Sequence, residues 1–87
     1  MASMQVNVVT AEAELFSGEA SEVYARSTEG EIGILPGHQP VLLLLADDAS
    51  VRIKTTEGRE QSFEIAGGFL EFRENHLIVL GEAVERE

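Results

Sequence analysis

The chain has 87 residues, 44% of them hydrophobic, and sixteen acidic against six basic residues give it a formal net charge of -10. A chain of this length forms one domain with a modest core. Its charge argues against nucleic-acid binding and against adhesion to anionic lipid, because both need clustered Lys and Arg. The lack of cysteine excludes disulfides, thiolate metal sites and cysteine nucleophiles. The longest apolar run, VLLLLA at 41–46, is far shorter than the ~20 residues of a spanning helix.

In chain order, the predicted elements are strands, since apolar residues recur at every second position of most runs. The alternating runs are MQVNVV, SEVYARS, ASVRIKT, EQSFEIA and FLEFREN. The positions that share an inward face within these runs are predicted to be Val6, Val8, Val23, Ala25, Val51, Ile53, Phe63, Ile65, Leu70 and Phe72. The last run, HLIVLGEAV, has consecutive apolar residues, which is typical of a strand buried on both faces.

Turn-forming pairs separate these runs at intervals of about ten residues, a spacing typical of an antiparallel sandwich or barrel. The predicted turns are Ser17-Gly18, Glu29-Gly30, Pro36-Gly37, Asp47-Asp48, Glu57-Gly58, Gly67-Gly68 and Glu74-Asn75. No run predicts a stable helix, because the helix-tolerant AEAELF at 11–16 is too short. We therefore expect one all-β domain over residues 1–87.

The stretch richest in glycine and proline is GEIGILPGHQP at 30–40, but it does not fit a phosphate-binding loop. Such a loop ends in a Lys followed by Ser or Thr that opens a helix, whereas Pro36 and His38 stand here. Gly30, Gly33 and Gly37 are better explained as residues that permit tight turns.

Other catalytic and metal patterns are weak. A zinc site would need both His38 and His76 together with carboxylates, and these histidines are far apart in the sequence, so surface or capping roles are preferred. The carboxylate pairs have no predicted cleft to separate their pKa values; they are Glu29 with Glu31, Asp47 with Asp48, and Glu82 with Glu85. No serine lies in a nucleophile-elbow pattern.

The loop ILPGHQPVL is interpreted instead as a stiff contact surface. Proline fixes φ and removes a donor, so a loop with Pro36 and Pro40 loses little entropy on binding. Because neighbours on a strand face opposite sides, one of Ile34 and Leu35 should enter the core and the other should face outward.

Three separated segments carry a family resemblance. GEIGILPGHQPVL resembles the signature of the ε subunit of bacterial F-type ATP synthase, in its N-terminal β-sandwich domain. VVTAEAELFSGEASEV resembles the opening strands of that family, and AGGFLEFRENHLIVLGEAVE resembles its closing strands. The matches occur in the right order along the whole chain, which makes them specific.

The resemblance implies a flattened antiparallel β-sandwich of about ten short strands. It also implies a non-catalytic subunit of the central stalk, which binds the γ subunit and the polar loops of the c-ring and couples proton-driven rotation to ATP synthesis. Such a subunit lies peripherally at the cytoplasmic face of the cell membrane, without direct lipid insertion, and needs no cofactor.

The resemblance also assigns contact residues. The c-ring-facing foot would comprise Glu31, Ile32, Gly33, Ile34, Pro36, Gly37 and His38. Glu31 would meet basic and polar loops of the ring, an attraction that suits an acidic chain. The γ-facing surface would include Thr10, His38 and Leu43.

The sequence departs from the family pattern in one respect, and two alternative functions stay open. Most family members continue into two C-terminal helices that inhibit ATP hydrolysis and in some members bind ATP. The sequence stops at Glu87, so we expect neither inhibition nor nucleotide binding from it. The alternatives are a general β-sandwich interaction module with another partner and, less well supported, a small enzyme or ligand binder.

Overall fold

The computed structural model describes residues 2–82, so Met1 and residues 83–87 lie outside the description, and with them Glu85 and the end of the last predicted strand. Eight strands follow one another along the chain: β1 Met4–Thr10, β2 Glu14–Ser27, β3 Gly30–Ile34, β4 Val41–Leu45, β5 Ala49–Thr55, β6 Glu60–Ile65, β7 Gly68–Arg73 and β8 His76–Gly81. No residue from 2 to 82 is helical, and so no helix of this part of the chain could cross a membrane. The predicted all-β class is confirmed.

The strands form one hydrogen-bonded network that folds into two layers. The first half of β2 pairs with β1, which continues through β8 and β7 to β4. The second half of β2 pairs with β3 on one side and with β5 on the other, and β5 pairs with β6. The long strand β2 therefore belongs to both layers, and its register shift between Ala20 and Glu22 marks the place where it passes between them.

The core lies between the layers and is formed by the alternating positions that the sequence predicted. Nine of the ten predicted inward residues are buried, while Phe63 is partly buried and packs against the others. Met4, Ala20, Ile34, Leu45, Ala49, Leu77 and Val79 complete the buried set. The period of two thus fixed the inward face of every alternating run.

Four expectations about strands were wrong. Residues 2–82 form eight strands, where about ten were expected of the domain. The predicted turn at Ser17-Gly18 lies inside β2, because these residues pair with Asn7 and Val6 of β1 and the strand continues. The sandwich is also not purely antiparallel, since β1 and β8 run parallel. These are the first and last strands, and no hairpin constrains their relative direction.

The fourth wrong expectation concerns β8, which is buried on one face only. Leu77 and Val79 are in the core, whereas Ile78 is half-buried and Leu80 is 49% exposed. The consecutive apolar residues of β8 therefore supply both a core face and an exposed apolar face.

Candidate docking site

The predicted foot begins with a tight connection between β2 and β3. The buried Ser27 hydroxyl donates to the Gly30 carbonyl oxygen at 2.8 Å and accepts from the Glu29 amide at 3.1 Å. Gly30 has a φ of 121°, which favours glycine. Ser27 and Gly30 together fix where β3 starts.

Along β3 the side chains alternate between the core and solvent. Ile34 is fully buried and Ile32 is half-buried against the core, while Glu31 and Gly33 are exposed. The next residue, Leu35, is 50% exposed. The prediction that one of Ile34 and Leu35 enters the core and the other faces outward is confirmed.

The turn after β3 is held by an asparagine from another part of the chain. The His38 amide donates to the Leu35 carbonyl oxygen at 3.0 Å, and the Gly37 amide donates to Oδ1 of Asn75 at 3.0 Å. Nδ2 of Asn75 donates to the Ser3 carbonyl oxygen at 2.8 Å. Asn75 therefore ties the foot to the β7–β8 turn and to the N-terminal segment.

Asn75 was not among the residues assigned to the site from the sequence. Its φ of 62° lies in the left-handed region, where asparagine is among the favoured residues. The pair Glu74-Asn75 predicted the turn correctly, but no local pattern indicates that the side chain reaches Gly37.

His38 rests against the core edge of the foot. Its ring meets Phe72 in a T-shaped arrangement, with ring centroids 6.0 Å apart and planes at 83°. Nδ1 lies 2.7 Å from the Gln39 carbonyl oxygen, which can only accept, so Nδ1 carries a hydrogen. Both contacts fix the ring and leave Nε2 as the nitrogen available to a partner.

Glu31 is already paired within the chain. Nη2 of Arg52 donates to Oε1 of Glu31 at 2.8 Å. The Arg52 guanidinium carbon lies 5.7 Å from the centroid of the Tyr24 ring, in a cation–π arrangement. The Tyr24 hydroxyl donates to Oε1 of Glu22 at 3.1 Å. These four side chains form one polar group on the outer face of β3, β2 and β5, and we call it the Tyr24 cluster.

The neighbours of Tyr24 in this cluster shift its pKa. The hydrogen bond to Glu22 and the charge of that carboxylate raise the pKa of Tyr24 above its ordinary value, while the Arg52 charge opposes the shift. The hydrogen bond is the main cause, since only the neutral phenol can donate it, and the nearby carboxylate also disfavours an anionic phenolate.

The predicted γ-facing residues do not form one patch. Thr10 pairs with Gly81 at the β1 side of its layer, and Leu43 pairs with the buried Leu70 on β4. Since β8 and β7 lie between β1 and β4, the two residues are separated by three strand spacings, about 14 Å. Leu43 is half-buried on the core-facing side of β4.

The space between Thr10 and Leu43 is filled on the outside by apolar side chains. Leu44 lies opposite Phe69, Phe69 opposite Leu80, and Leu80 beside Val9, which makes a row across four strands. Leu44, Phe69 and Leu80 are 55%, 48% and 49% exposed. With Leu42 and Ile78, which flank Glu71 in the adjacent row, these residues are called the apolar face. An exposed apolar patch of this kind marks a protein contact surface.

The described residues contain no group of three or more His, Cys, Asp or Glu side chains able to hold a metal ion. His76 uses Nε2 in a 2.7 Å contact with Oδ1 of Asn7. The described surface carries a pinned loop, a charged cluster and an apolar face.

Comparison with known proteins gives the family. The model of the ATP synthase delta/epsilon chain β-sandwich domain matches residues 3–87. The chain belongs to the ATP synthase delta/epsilon family. The structural features above are therefore features of a delta/epsilon β-sandwich domain.

Relatives named ATP synthase epsilon chain match this family member over nearly its whole length. The protein of Mycobacterium sp. (strain KMS) is 41% identical over 87 residues, which is 100% of this chain and 72% of that protein. The protein of Psychrobacter cryohalolentis is 44% identical over 99% of this chain and 62% of its own length. The Streptomyces coelicolor protein is 43% identical over 97% of this chain and 67% of its own.

Two solved structures share the fold of this delta/epsilon domain. A chain of the Euglena gracilis mitochondrial ATP synthase superposes with a TM-score of 0.88 at 18% identity, over 98% of this chain and 54% of that one. A chain of the Tetrahymena thermophila mitochondrial ATP synthase central stalk and c-ring gives 0.78 at 20% identity, over 94% and 65%. At these identities the likeness concerns the fold.

Proposed function

We propose that the chain is a non-catalytic central-stalk domain that docks on the γ subunit and on the polar loops of the c-ring, and thereby couples rotation to ATP synthesis. In this role it lies peripherally at the cytoplasmic face of the membrane as part of the synthase. Family membership supports a place in the complex.

The observation that carries the docking role is the shape of the described surface. The described surface carries a loop pinned by Asn75 and a row of apolar side chains across four strands, of which Leu44, Phe69 and Leu80 are exposed. We propose that the foot, with Glu31, Ile32, Gly33, Ile34, Pro36, Gly37 and His38, faces the c-ring. A pinned loop suits this task because little entropy is lost when it binds.

We propose further that γ packs on the apolar face and on its borders at Thr10, His38 and Leu43. Leu43 is half-buried, so its part in this contact would be to support Leu42 and Leu44, its exposed neighbours. Apolar side chains at the centre with polar residues at the rim are the usual anatomy of a protein interface.

Co-purification with a cognate γ subunit tests the γ contact. The chain should be retained by immobilised γ at low salt. Failure of a folded chain to bind γ would favour the alternative, a β-sandwich interaction module with another partner. Measurable ATPase activity of the pure chain would contradict the non-catalytic role.

Glu31→Lys tests the foot. The folded state should survive, because exposed substitutions usually change the free energy of unfolding by only ~0.5 kcal/mol. Docking to the c-ring and coupled proton pumping should weaken, while γ binding is retained. Unchanged pumping in assembled complexes would contradict the assignment of Glu31 to the c-ring contact.

A further inference from the structure

Arg52 reaches Glu31 across an intervening strand. β3 and β5 flank β2, where Glu31 is opposite Arg26 and Arg52 is opposite Tyr24. The recorded ion pair nevertheless joins Glu31 to Arg52, at 2.8 Å. The side chains are 56% and 41% exposed, so a partner can reach the pair.

One further contact holds the guanidinium in place. Its carbon lies over the Tyr24 ring, 5.7 Å from the ring centroid. Gly33 makes the room for Tyr24, since a Cβ at that position would come within 2.7 Å of the ring. Arg52 is therefore fixed beside Glu31 by packing as well as by charge.

A cationic group that approaches Glu31 meets this resident positive charge. The Arg52 bond uses Oε1 of Glu31, and the second carboxylate oxygen has no recorded partner in residues 2–82. A partner cation at that oxygen would share the carboxylate with Arg52, and the two cations would repel each other. Because Tyr24 holds Arg52, the resident cation does not simply move away.

We propose that Arg52 is the resident counter-ion of Glu31 and weakens its contact with a basic loop, which keeps the foot from binding cationic surfaces indiscriminately. The partner that fits is a polar protein loop that carries an Arg or Lys. This inference rests on the proposed function, in which Glu31 faces such a loop on the c-ring.

The experiment measures binding of the chain to proteoliposomes that carry a purified bacterial c-ring, with protein-free liposomes of the same lipid as background. Arg52→Gln should tighten binding by about two- to five-fold at low salt, the range that exposed charge pairs give. The gain should vanish at high salt, where exposed charges are screened. Arg52→Lys keeps the positive charge, so its affinity for the proteoliposomes should differ less from that of the unchanged chain than the affinity of Arg52→Gln does.

Glu31→Gln separates the two proposals. If Glu31→Gln leaves binding unchanged, the foot assignment itself is wrong. If Glu31→Gln weakens binding while Arg52→Gln fails to tighten it, the foot stands and the counter-ion role is overturned. Tighter binding of Arg52→Gln that persists at high salt would also overturn the counter-ion role, because the effect would then come from packing and not from charge. Should Arg52→Gln fail to fold by circular dichroism, Arg52→Met repeats the test.

Discussion

At the scale of single residues, Tyr24 organises the outer face of β3, β2 and β5. Its ring lies against Arg52, its hydroxyl donates to Glu22, and its ring occupies the space that a Cβ at Gly33 would need. Only the Glu22 contact is local in sequence, and together these contacts decide how Glu31 is presented. The tyrosine is also the single one in a chain without tryptophan, so its spectrum reports this cluster alone.

Titration of Tyr24 by ultraviolet absorbance checks the cluster. Its pKa should lie above the ordinary value of about 10. Glu22→Ala should lower this pKa, because it removes both the hydrogen bond and the carboxylate charge, and Arg52→Gln should raise it further. If the pKa of Tyr24 in both variants equals that in the unchanged chain, neither side chain lies against Tyr24 in solution.

The raised pKa of Tyr24 also makes the free energy of unfolding depend on pH. A phenol whose pKa is raised in the folded state binds its proton more tightly there than in the unfolded chain. The stabilising contribution of this phenol is fully present below its pKa in the unfolded chain. It is lost as the pH rises through its pKa in the folded state. Tyr24 is exposed, so we expect this alkaline effect to be small.

At the scale of elements, the foot depends on a strand turn that is distant in sequence. Asn75 accepts from Gly37 and donates to Ser3, and its own carbonyl oxygen accepts from the Gln5 amide at 3.2 Å. β1, the β7–β8 turn and the foot therefore meet at one residue. Prolines stiffen the loop internally, but its position is set by this contact.

Asn75→Gly should free the foot without straining the turn. Glycine keeps the φ of 62° accessible but removes both side-chain hydrogen bonds, which should cost about 1 kcal/mol of the free energy of unfolding. Hydrogen exchange at the Gly37 amide should become faster. Asn75→Asp is the matched variant, since a carboxylate still accepts from Gly37 but no longer donates to Ser3. Unchanged exchange in Asn75→Gly would contradict the clamp.

Two glycines of positive φ should respond very differently to alanine. Gly68 has a φ of 125°, and a Cβ there would overlap the Leu80 carbonyl oxygen, where β7 and β8 approach closely. Gly58 has a φ of 89° and open space around it. Gly58→Ala should cost about 1 kcal/mol from backbone strain, and Gly68→Ala should cost at least ~2 kcal/mol more. Urea denaturation gives both values, and equal losses would show that the close approach is absent.

At the scale of the whole molecule, the sandwich has two unlike outer faces. One carries the apolar row Leu44, Phe69 and Leu80, and the other carries the Tyr24 cluster with Lys54 and Glu64. The net charge of -10 keeps such a molecule soluble through mutual repulsion. An apolar face on an otherwise acidic domain is best explained by a partner that covers it.

Leu44→Glu tests which face docks on γ. Leu44 is 55% exposed, so the free energy of unfolding should change little, whereas γ binding should fall at least about ten-fold if the side chain is buried in the contact. Gln61→Glu, on the exposed edge strand β6, adds the same charge away from the apolar face and is the control. Equal effects of the two variants would indicate that charge, not the apolar contact, is responsible.

Local patterns predicted much of the site but not its connections. The alternation predicted that one of Ile34 and Leu35 enters the core, and the glycine and proline spacing predicted the turns around the foot. The Glu31–Arg52 pair and the Asn75 clamp join residues 21 and 38 positions apart, which no local pattern contains. The assignment of Glu31, His38, Thr10 and Leu43 to partners comes from the family resemblance and stays a prediction.

The sequence by itself determined the all-β class, the inward positions and most turns, because side chains alternate with a fixed period of two along a strand. Tertiary structure alone decided that β1 runs parallel to β8, that β2 serves both layers and that β8 is covered on one side. The reason is physical, because an apolar run indicates only that its residues can be buried. The neighbouring strands decide whether they are. Leu42, Leu44, Phe69 and Leu80 have the composition of a core, and only the arrangement of the layers leaves them on the outside.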